Sequence, residues 1–246
     1  MKTFFTCWLV CLLVGANSRT AAGQALSSPN SHVGVAFTLA PPLGFGADIA
    51  VPVGEKVNVR GGFNVFGLSH EFDNDGITLD AQLKLRSVSA HLDWFPFGGG
   101  FHLSPGVMLY NGNEVNAAAL VPGGEPFELG DESLTSNPST PVTGTAVVSF
   151  NRKVAPSVRV GWGNIVPRGD RRWSIPFEFG VVFSNAPTAI FSLGGSACAR
   201  NGTNCRNIAT DPQLQADVQK EQEEINDDLD VLKVIPVISL GFSVKF

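Results

Sequence analysis

The sequence is poor in several residue classes, and each shortage excludes a class of protein. Only 16% of the 246 residues are charged and the net charge is −5, so the basic surface that binds nucleic acid is absent. There are four cysteines, of which only Cys198 and Cys205 lie beyond residue 25, and no histidine lies near these two. Beyond Val14, no apolar run approaches the ~18 residues that a helical membrane span needs.

The N-terminal residues have the pattern of an export signal. A basic residue precedes an apolar run from Phe4 to Val14, and a stretch of small and polar residues follows. This pattern predicts a secretory signal peptide over residues 1–25, with cleavage after Ala22 or Ala25. Without the two basic residues of this segment, the net charge changes from −5 to −7.

The rest of the chain, residues 26–246, is long enough for one β-domain of barrel or sandwich type. In an exported protein, two cysteines this close in sequence predict a local disulfide, Cys198–Cys205. A metal site would need further ligands nearby, so the sequence predicts no metal and no cofactor.

Apolar residues at every second position recur along the chain, which is typical of strands with one apolar face. Ten candidate strands are 32–40, 45–53, 57–66, 77–95, 101–111, 142–151, 156–164, 173–184, 188–195 and 235–246. Within 77–95 the apolar residues change parity, which predicts a β-bulge near Arg86 and Ser87.

Short and long connections alternate between these strands. Residues 54–56, 98–100, 151–155 and 185–187 read as tight turns, and residues 70–76, 111–141, 167–172 and 196–233 as long loops. Short turns at one rim and long loops at the other are typical of an outer-membrane barrel whose short side faces the periplasm. The sequence thus predicts an all-β, closed antiparallel transmembrane β-barrel of about ten strands, with eight or twelve as alternatives.

Aromatic residues cluster where such a barrel would meet the membrane interfaces. Trp94, Phe95, Phe97 and Phe101 flank the GGG turn and predict a periplasmic girdle, while Trp162 and Trp173 predict a second girdle at the opposite rim. A soluble β-sandwich also alternates, but its polar faces would carry abundant charge. Here charge is concentrated in the loops, which favours the barrel.

If the apolar faces meet lipid, the alternate positions point into the barrel. The charged and ionisable residues predicted there are Asp48, Arg60, Asp80, Lys84, Arg86, His91, Asp93, Arg159, Glu178 and Lys245. Arg or Lys on the lipid face would cost about 2–4 kcal/mol near the midplane. Five fixed cations against four anions indicate a cross-linked interior, which favours a plugged or very narrow lumen over an open channel.

The sequence contains several partial sets of catalytic residues, but none is a complete active site. His102 and Ser104 resemble the His–Ser pair of outer-membrane lipid A deacylases, but they lie beside the GGG turn and no acidic partner is evident. His91 and Asp93 share a face without a nucleophile, and the acidic residues after His70 have no further support as a protease site. The sequence therefore predicts no enzyme, and a membrane-embedded hydrolase acting on lipid A or surface peptides is the alternative.

Residues 210–233 contain the one predicted helix. Asp211 can cap it and Pro212 suits its first turn. The apolar stripe is narrow and the remaining face is acidic, so we expect the helix to lie in a long outer loop. It would pack over the barrel mouth as a lid or present a surface to a partner.

Four segments resemble a family of small Gram-negative outer-membrane β-barrel (porin-like) proteins of uncharacterised function. They are residues 83–113, 157–164, 177–187 and 214–246. The alternation that ends in Leu240, Phe242, Val244 and Phe246 likewise resembles the C-terminal signal read by the barrel assembly machinery. The chain departs from the family at Phe95, where a histidine is expected in the D-W-x-P-F motif.

Together these observations predict an exported protein of the outer membrane with a passive envelope role, either a narrow or lidded pore or a structural, surface-interacting barrel. The resemblance implies outer-membrane lipid and lipopolysaccharide as surroundings and the barrel assembly machinery as a partner during biogenesis. No nucleic-acid partner is predicted, and the oligomeric state stays open.

Overall fold

The computed structural model describes residues 32–74, 77–150 and 153–246. The predicted signal peptide lies outside these residues. The strands are β1 (Gly34–Ala40), β2 (Gly44–Gly54), β3 (Val57–Asn74), β4 (Ile77–Trp94), β5 (His102–Asn111), β6 (Glu114–Val121), β7 (Pro126–Leu129), β8 (Glu132–Ser136), β9 (Val142–Ser149), β10 (Ala155–Trp162), β11 (Trp173–Ser174), β12 (Phe177–Phe183), β13 (Thr188–Gly194), β14 (Ser196–Ala199), β15 (Arg206–Asn207) and β16 (Val234–Lys245).

Eight of these strands close into an antiparallel barrel. Their order around the wall is β1, β2, β3, β4, β5, β10, β12 and β16, and β16 pairs with β1 to complete the ring. The prediction of a closed all-β barrel is confirmed, whereas the prediction of ten wall strands is wrong. Eight was the smaller of the stated alternatives.

The two surplus strands of the prediction lie outside the wall. β9 and β13 pair with each other, and β9 also pairs with β6, which lies in the predicted loop 111–141. β6 in turn pairs with residues 78–84 of β4, so a flat extension continues the sheet beyond the barrel. These strands alternate because one face of the extension is buried by other elements, and alternation alone does not distinguish lipid from a protein core on the apolar side.

Because the wall has eight strands and not ten, the connections between strands are distributed between the two rims differently from the prediction. The turn rim carries residues 55–56, 95–101 and 163–176, whereas the extension rim carries the connections between β5 and β10 and between β12 and β16. Residues 153–155 and 185–187 lie on the extension rim, so the prediction of tight turns on the short side is wrong for them; residues 151 and 152 lie outside the described residues. The loop 167–172 belongs to the turn rim and not to the opposite one.

The predicted bulge near Arg86 and Ser87 is absent. The β3–β4 register runs without a shift from Val57↔Trp94 to Asn74↔Ile77. The irregularity lies in the neighbouring strand, where Leu109 of β5 is the extra residue between two consecutive partners on β4. The side chains of β4 thus keep one parity, and only the character of its inward face changes along the strand.

The outside of the barrel wall is an apolar belt. Alternate residues of the wall strands are exposed and apolar, and among the most exposed are Phe37 at 70%, Phe45 at 58% and Ile49 at 57%. A soluble protein rarely exposes so much contiguous apolar surface, whereas a transmembrane barrel faces lipid with it. β3 and β4 have 18 residues each, more than the 9–11 that span a bilayer, so their far halves project beyond the belt.

The extension packs as a small outer domain. A second sheet of β7, β8, β14 and β15 and the helix α1 (Pro212–Asp228) enclose an apolar core with the extension strands. A 3₁₀ turn, Leu229–Lys233, joins the helix to β16. The predicted cap is confirmed, since the Asp211 side chain accepts hydrogen bonds from the backbone N–H groups of Gln213 and Leu214.

The predicted Cys198–Cys205 disulfide is present in this outer domain and closes the turn after β14. No helix in the described part of the chain is both long and apolar enough to cross a bilayer.

Candidate functional site: the barrel lumen

An arginine bridges the lumen from wall to wall. Arg60 on β3 donates to both carboxylate oxygens of Glu178 on β12, with Nη1–Oε2 at 2.9 Å and Nη2–Oε1 at 2.5 Å. β3 and β12 are four strands apart in a ring of eight, so the two residues come from diametrically opposite walls. Both side chains are nearly inaccessible to solvent. The bidentate pair therefore crosses the barrel interior at its centre.

Two further carboxylates, those of Asp93 and Asp48, lie near the Arg60 guanidinium. Asp93 on β4 accepts from Arg60 Nη2 at 2.9 Å and from the Ser104 hydroxyl at 2.7 Å. Asp48 on β2 lies 3.9 Å from Arg60 Nη1 and adds a third negative charge. Residues from β2, β3, β4, β5 and β12 thus meet around one guanidinium.

His102 and Arg159 also contact the Glu178 carboxylate. The His102 ring faces two acceptors, with Nε2 2.9 Å from Glu178 Oε1 and Nδ1 3.1 Å from the Gly100 carbonyl. The Gly100 carbonyl can only accept, which favours a proton on Nδ1, and a carboxylate facing Nε2 favours a proton there as well. Arg159 on β10 donates to Glu178 Oε2 at 3.3 Å. Two guanidinium groups and the imidazole ring thus face three carboxyl groups, so groups of opposite sign lie side by side in the described cluster.

Two inward-facing glycines, Gly62 and Gly106, leave space for larger side chains of the neighbouring strands. A Cβ at Gly62 would occupy the place of the Asp48 carboxylate, and a Cβ at Gly106 would collide with the His91 ring. His91 Nε2 lies 3.3 Å from the Ser157 hydroxyl across the β4–β10 side of the lumen. The inward glycines at these two positions therefore make room for a carboxylate and an imidazole ring.

Both ends of the lumen are closed as well. From the turn rim, Ile165 and Val166 insert and pack against the small inward side chains Ala36 and Ala50. Towards the extension rim, an apolar cluster fills the barrel; its members are Ala40, Leu43, Met108, Ala155, Val182, Ile235 and Val237, with Phe150 packed against them. The ionic centre thus lies between two apolar clusters.

Of the ten residues that the sequence placed in the lumen, six lie there: Asp48, Arg60, His91, Asp93, Arg159 and Glu178. Asp80, Lys84 and Arg86 do not, because β4 has no bulge and they share the face of the exposed residues Val88, Leu92 and Trp94.

Lys245 lies at the turn rim, where its ammonium donates to the carbonyls of Pro167 and Gly169 at 2.9 and 2.6 Å. The loop that inserts into the lumen is therefore tied to the last strand.

The aromatic girdle differs from the prediction in two ways. Phe95 is 1% exposed and lies against the His102 ring, so it belongs to the lumen. Trp162 and Trp173 lie on the turn rim together with Trp94, because the loop between them connects neighbouring wall strands on that side.

The residues predicted as an assembly signal lie on the outer face of β16. Leu240, Phe242 and Phe246 are exposed there, and the Phe242 ring stacks on Trp173 with centroids 6.3 Å apart. Val244 shares their face and pairs with Val35. Their role in assembly stays a prediction.

The geometry does not arrange His102 and Ser104 as a base and a nucleophile. Both histidine nitrogens are occupied by acceptors, and the Ser104 hydroxyl donates to Asp93, not to the ring. All three side chains are buried inside the closed lumen. The arrangement links walls of the barrel and offers no free group to a substrate.

Several lumen residues were missed as members of this network. In the sequence, His102 and Ser104 read as a possible catalytic pair, and no motif marks Ser157. Their inward position follows from alternation with Leu103 and Val158, which is the signal that would have placed them. The Asn58–Asn164 hydrogen bond of 2.8 Å joins a wall strand to the inserted loop, and no local pattern predicts such a contact.

Comparisons with known proteins agree with this architecture. No protein-family model matches the chain, and no curated protein is significantly similar in sequence. A crystal structure of Acinetobacter baumannii CarO is 20% identical and superposes with a TM-score of 0.56, covering 87% of this chain and 97% of that one. A crystal structure of Acinetobacter baumannii CarO2 is 17% identical with a TM-score of 0.57, covering 88% of this chain and 99% of that one. The chain therefore shares its barrel fold with CarO along nearly its whole described length.

Proposed function

We propose that the protein is an occluded outer-membrane barrel that anchors a folded outer domain at the cell surface. Its role in the envelope is passive, namely structural support and surface interaction, and it does not conduct solutes through the barrel. The turn rim faces the periplasm and the extension rim faces outward, in line with short turns on the periplasmic side of such barrels.

The observation that carries this proposal is the Arg60–Glu178 bridge between opposite walls. An eight-stranded barrel has an interior just wide enough for side chains to fill. The ionic centre, in which opposite charges pair at close range, and the two apolar clusters on either side of it support an interior filled by side chains.

The position of the helix supports an anchored domain over a lidded pore. α1 packs on β13 and β7, with Leu214 and Val218 buried in the outer core. Its Asn226 side chain pairs with the backbone of Ala189 on the edge strand β13, donating to the carbonyl at 3.3 Å and accepting from the N–H at 2.7 Å. The helix thus covers a free sheet edge, which is a common protection against unwanted strand pairing.

Location in the outer membrane is supported by the apolar belt and by the shared fold with CarO. Outer-membrane lipid and lipopolysaccharide would then surround the belt, and the barrel assembly machinery would insert it. No observation favours the hydrolase alternative, since the His102 and Ser104 groups are engaged in the lumen network.

Single-channel recording tests the proposal. We expect refolded protein in planar bilayers to show no steady conductance, both in the wild type and after deletion of residues 210–233. Conductance that appears only after the deletion would support a lidded pore, and steady conductance in the wild type would contradict an occluded lumen. A mass change of lipid A on incubation with the protein would support the hydrolase.

A further inference from the structure

A cavity opens at the turn rim, outside the lumen. It measures about 580 Å³ and lies between the 95–101 turn and the 163–176 loop. Its lining combines backbone from glycines 98–100 with the side chains of Arg168, Arg171 and Trp173. Nothing in the occluded barrel requires a cavity at this place.

The two loops that form the cavity are held in place. The Asn164 side-chain oxygen accepts from Asn58 at 2.8 Å and from the Val166 N–H at 2.9 Å, and the backbone N–H of Asn164 donates to the Ser174 hydroxyl at 3.2 Å. Lys245 donates to two carbonyls of the loop. The cavity therefore has fixed walls, although it lies in a connection between strands.

The glycines on the opposite side keep the cavity open. Side chains added at Gly98 and Gly99 would meet only open space, so a ligand can reach the backbone there. At Gly100 the two loops approach closely, since an added Cβ would lie 3.2 Å from the backbone nitrogen of Gly163.

The cavity carries two cations that the described protein does not neutralise. Neither Arg168 nor Arg171 has an ion-pair partner among the described residues, in contrast to Arg60, Arg159 and Arg206. The Arg168 guanidinium is held 5.3 Å above the Phe95 ring, which fixes it near the protein surface. Two unpaired guanidinium groups at one cavity favour an anion with several oxygen atoms, and phosphate esters have that geometry.

The cavity also lies at the height of the membrane interface. Trp173 lines it and stacks on Phe242 of the wall, and Trp162 beside it contacts Phe101 with centroids 5.5 Å apart. Aromatic belts of this kind sit at the level of lipid headgroups. A headgroup phosphate would therefore reach the two arginines while its acyl chains stay against the apolar wall.

We propose that this cavity binds the phosphate ester of an anionic glycerophospholipid in the leaflet around the turn rim. The assignment to that leaflet rests on the orientation proposed above, whereas phosphate recognition itself does not. Soluble phosphate would offer the same chemistry without the apolar contacts.

Tryptophan quenching by a brominated lipid tests the proposal. The protein is prepared without residues 1–25, and so without Trp8, and carries Phe in place of Trp94 and Trp162, so that Trp173 alone reports. It is reconstituted into phosphatidylcholine nanodiscs. We expect a small fraction of brominated-chain phosphatidylglycerol to quench Trp173 more than the same fraction of brominated-chain phosphatidylcholine. Nanodiscs present both leaflets with the same lipid, so the result does not depend on orientation or on the closed lumen.

Matched substitutions distinguish a specific lipid site in the cavity from a general attraction of anionic lipid by the positive charge of the loop. Arg168→Gln and Arg171→Gln should each weaken the preference for phosphatidylglycerol about fivefold. Arg172→Gln removes the same charge from the same loop outside the cavity lining, and we expect it to leave the preference unchanged. Equal quenching by the two lipids, or an equal loss in all three variants, would overturn the proposal.

A competition arm distinguishes the two sources of phosphate. Unlabelled phosphatidylglycerol should relieve the quenching, whereas millimolar inorganic phosphate at constant ionic strength should not. Relief by inorganic phosphate would assign the cavity to a soluble anion and overturn the lipid assignment.

Discussion

The lumen and the outer domain meet on one strand, β4, whose two halves have opposite chemistry. On β4, the inward residues Ser87, Ser89, His91 and Asp93 are polar, while the same face from Ile77 to Leu85 is apolar. Within the belt, lipid covers the outer face, so apolar residues lie outside and the enclosed face is polar. Beyond the belt, the polar residues Asp80, Gln82 and Lys84 lie on the outer face, and Ile77 on the apolar face packs against the core of the outer domain. The comparison shows that a change of surrounding solvent alone reverses the pattern along one strand.

The largest expected effect comes from uncoupling charges in the lumen. Glu178→Ala would leave Arg60, Arg159 and His102 buried without their shared carboxylate. We expect the free energy of unfolding to fall by about 3–5 kcal/mol, because a buried charge without its partner is strongly unfavourable. Urea titration in detergent or lipid, followed by tryptophan fluorescence, measures it. Glu223→Ala on the exposed face of α1 is the control and should stay within about 0.5 kcal/mol.

A core substitution in the outer domain should have a comparable but local effect. Leu214 is fully buried against the extension and the small sheet, so Leu214→Ala should cost about 2–5 kcal/mol in that domain. Hydrogen exchange should show faster opening of β7, β13 and α1 with unchanged protection of the wall strands. Ile225→Ala on the same helix is more exposed and serves as the control. Loss of protection throughout the wall would show that the two regions unfold as one.

Neighbouring glycines on β3 test whether the lumen is packed. Gly62→Ala places a methyl group where the Asp48 carboxylate lies, and we expect a loss of about 1–3 kcal/mol. Gly61→Ala points outward into open space and should be neutral or slightly stabilising. Equal unfolding free energies for the two variants would contradict a filled interior.

The smallest expected effect concerns pH and the outer domain. The hydrogen bond and the positive charge of Lys220, 2.9 Å away, lower the pKa of Asp131 from its ordinary value of 3.8. The pair therefore stabilises the domain above that value, and the contribution is lost as pH falls through the lowered pKa. Both groups are exposed, so the effect is weak and should fade with added salt. Asp131→Asn should flatten the acid limb of the stability profile, whereas Asp228→Asn should not.

The sequence was sufficient for the barrel class and for most of its ionic centre, since Arg60, Asp93 and Glu178 lie at alternate positions within apolar-faced strands. Strand number was not accessible, because β9 and β13 alternate for a different reason from the wall strands. The bulge prediction was wrong for a related reason: the parity of apolar residues on β4 changes with the solvent, while the backbone register does not. The acidic partner of His102 lies 76 residues away, and only the closed ring brings it within hydrogen-bonding distance.

A double-mutant cycle on Arg60 and Glu178 tests most directly whether the lumen is bridged across its diameter. Unfolding free energies of Arg60→Ala, Glu178→Ala and the double variant, measured against the wild type, give the coupling between the two residues. We predict a coupling energy above about 1.5 kcal/mol, as expected for a close, desolvated charge pair. Additive losses, with a coupling below about 0.5 kcal/mol, would show that the two walls do not interact and would contradict the occluded barrel.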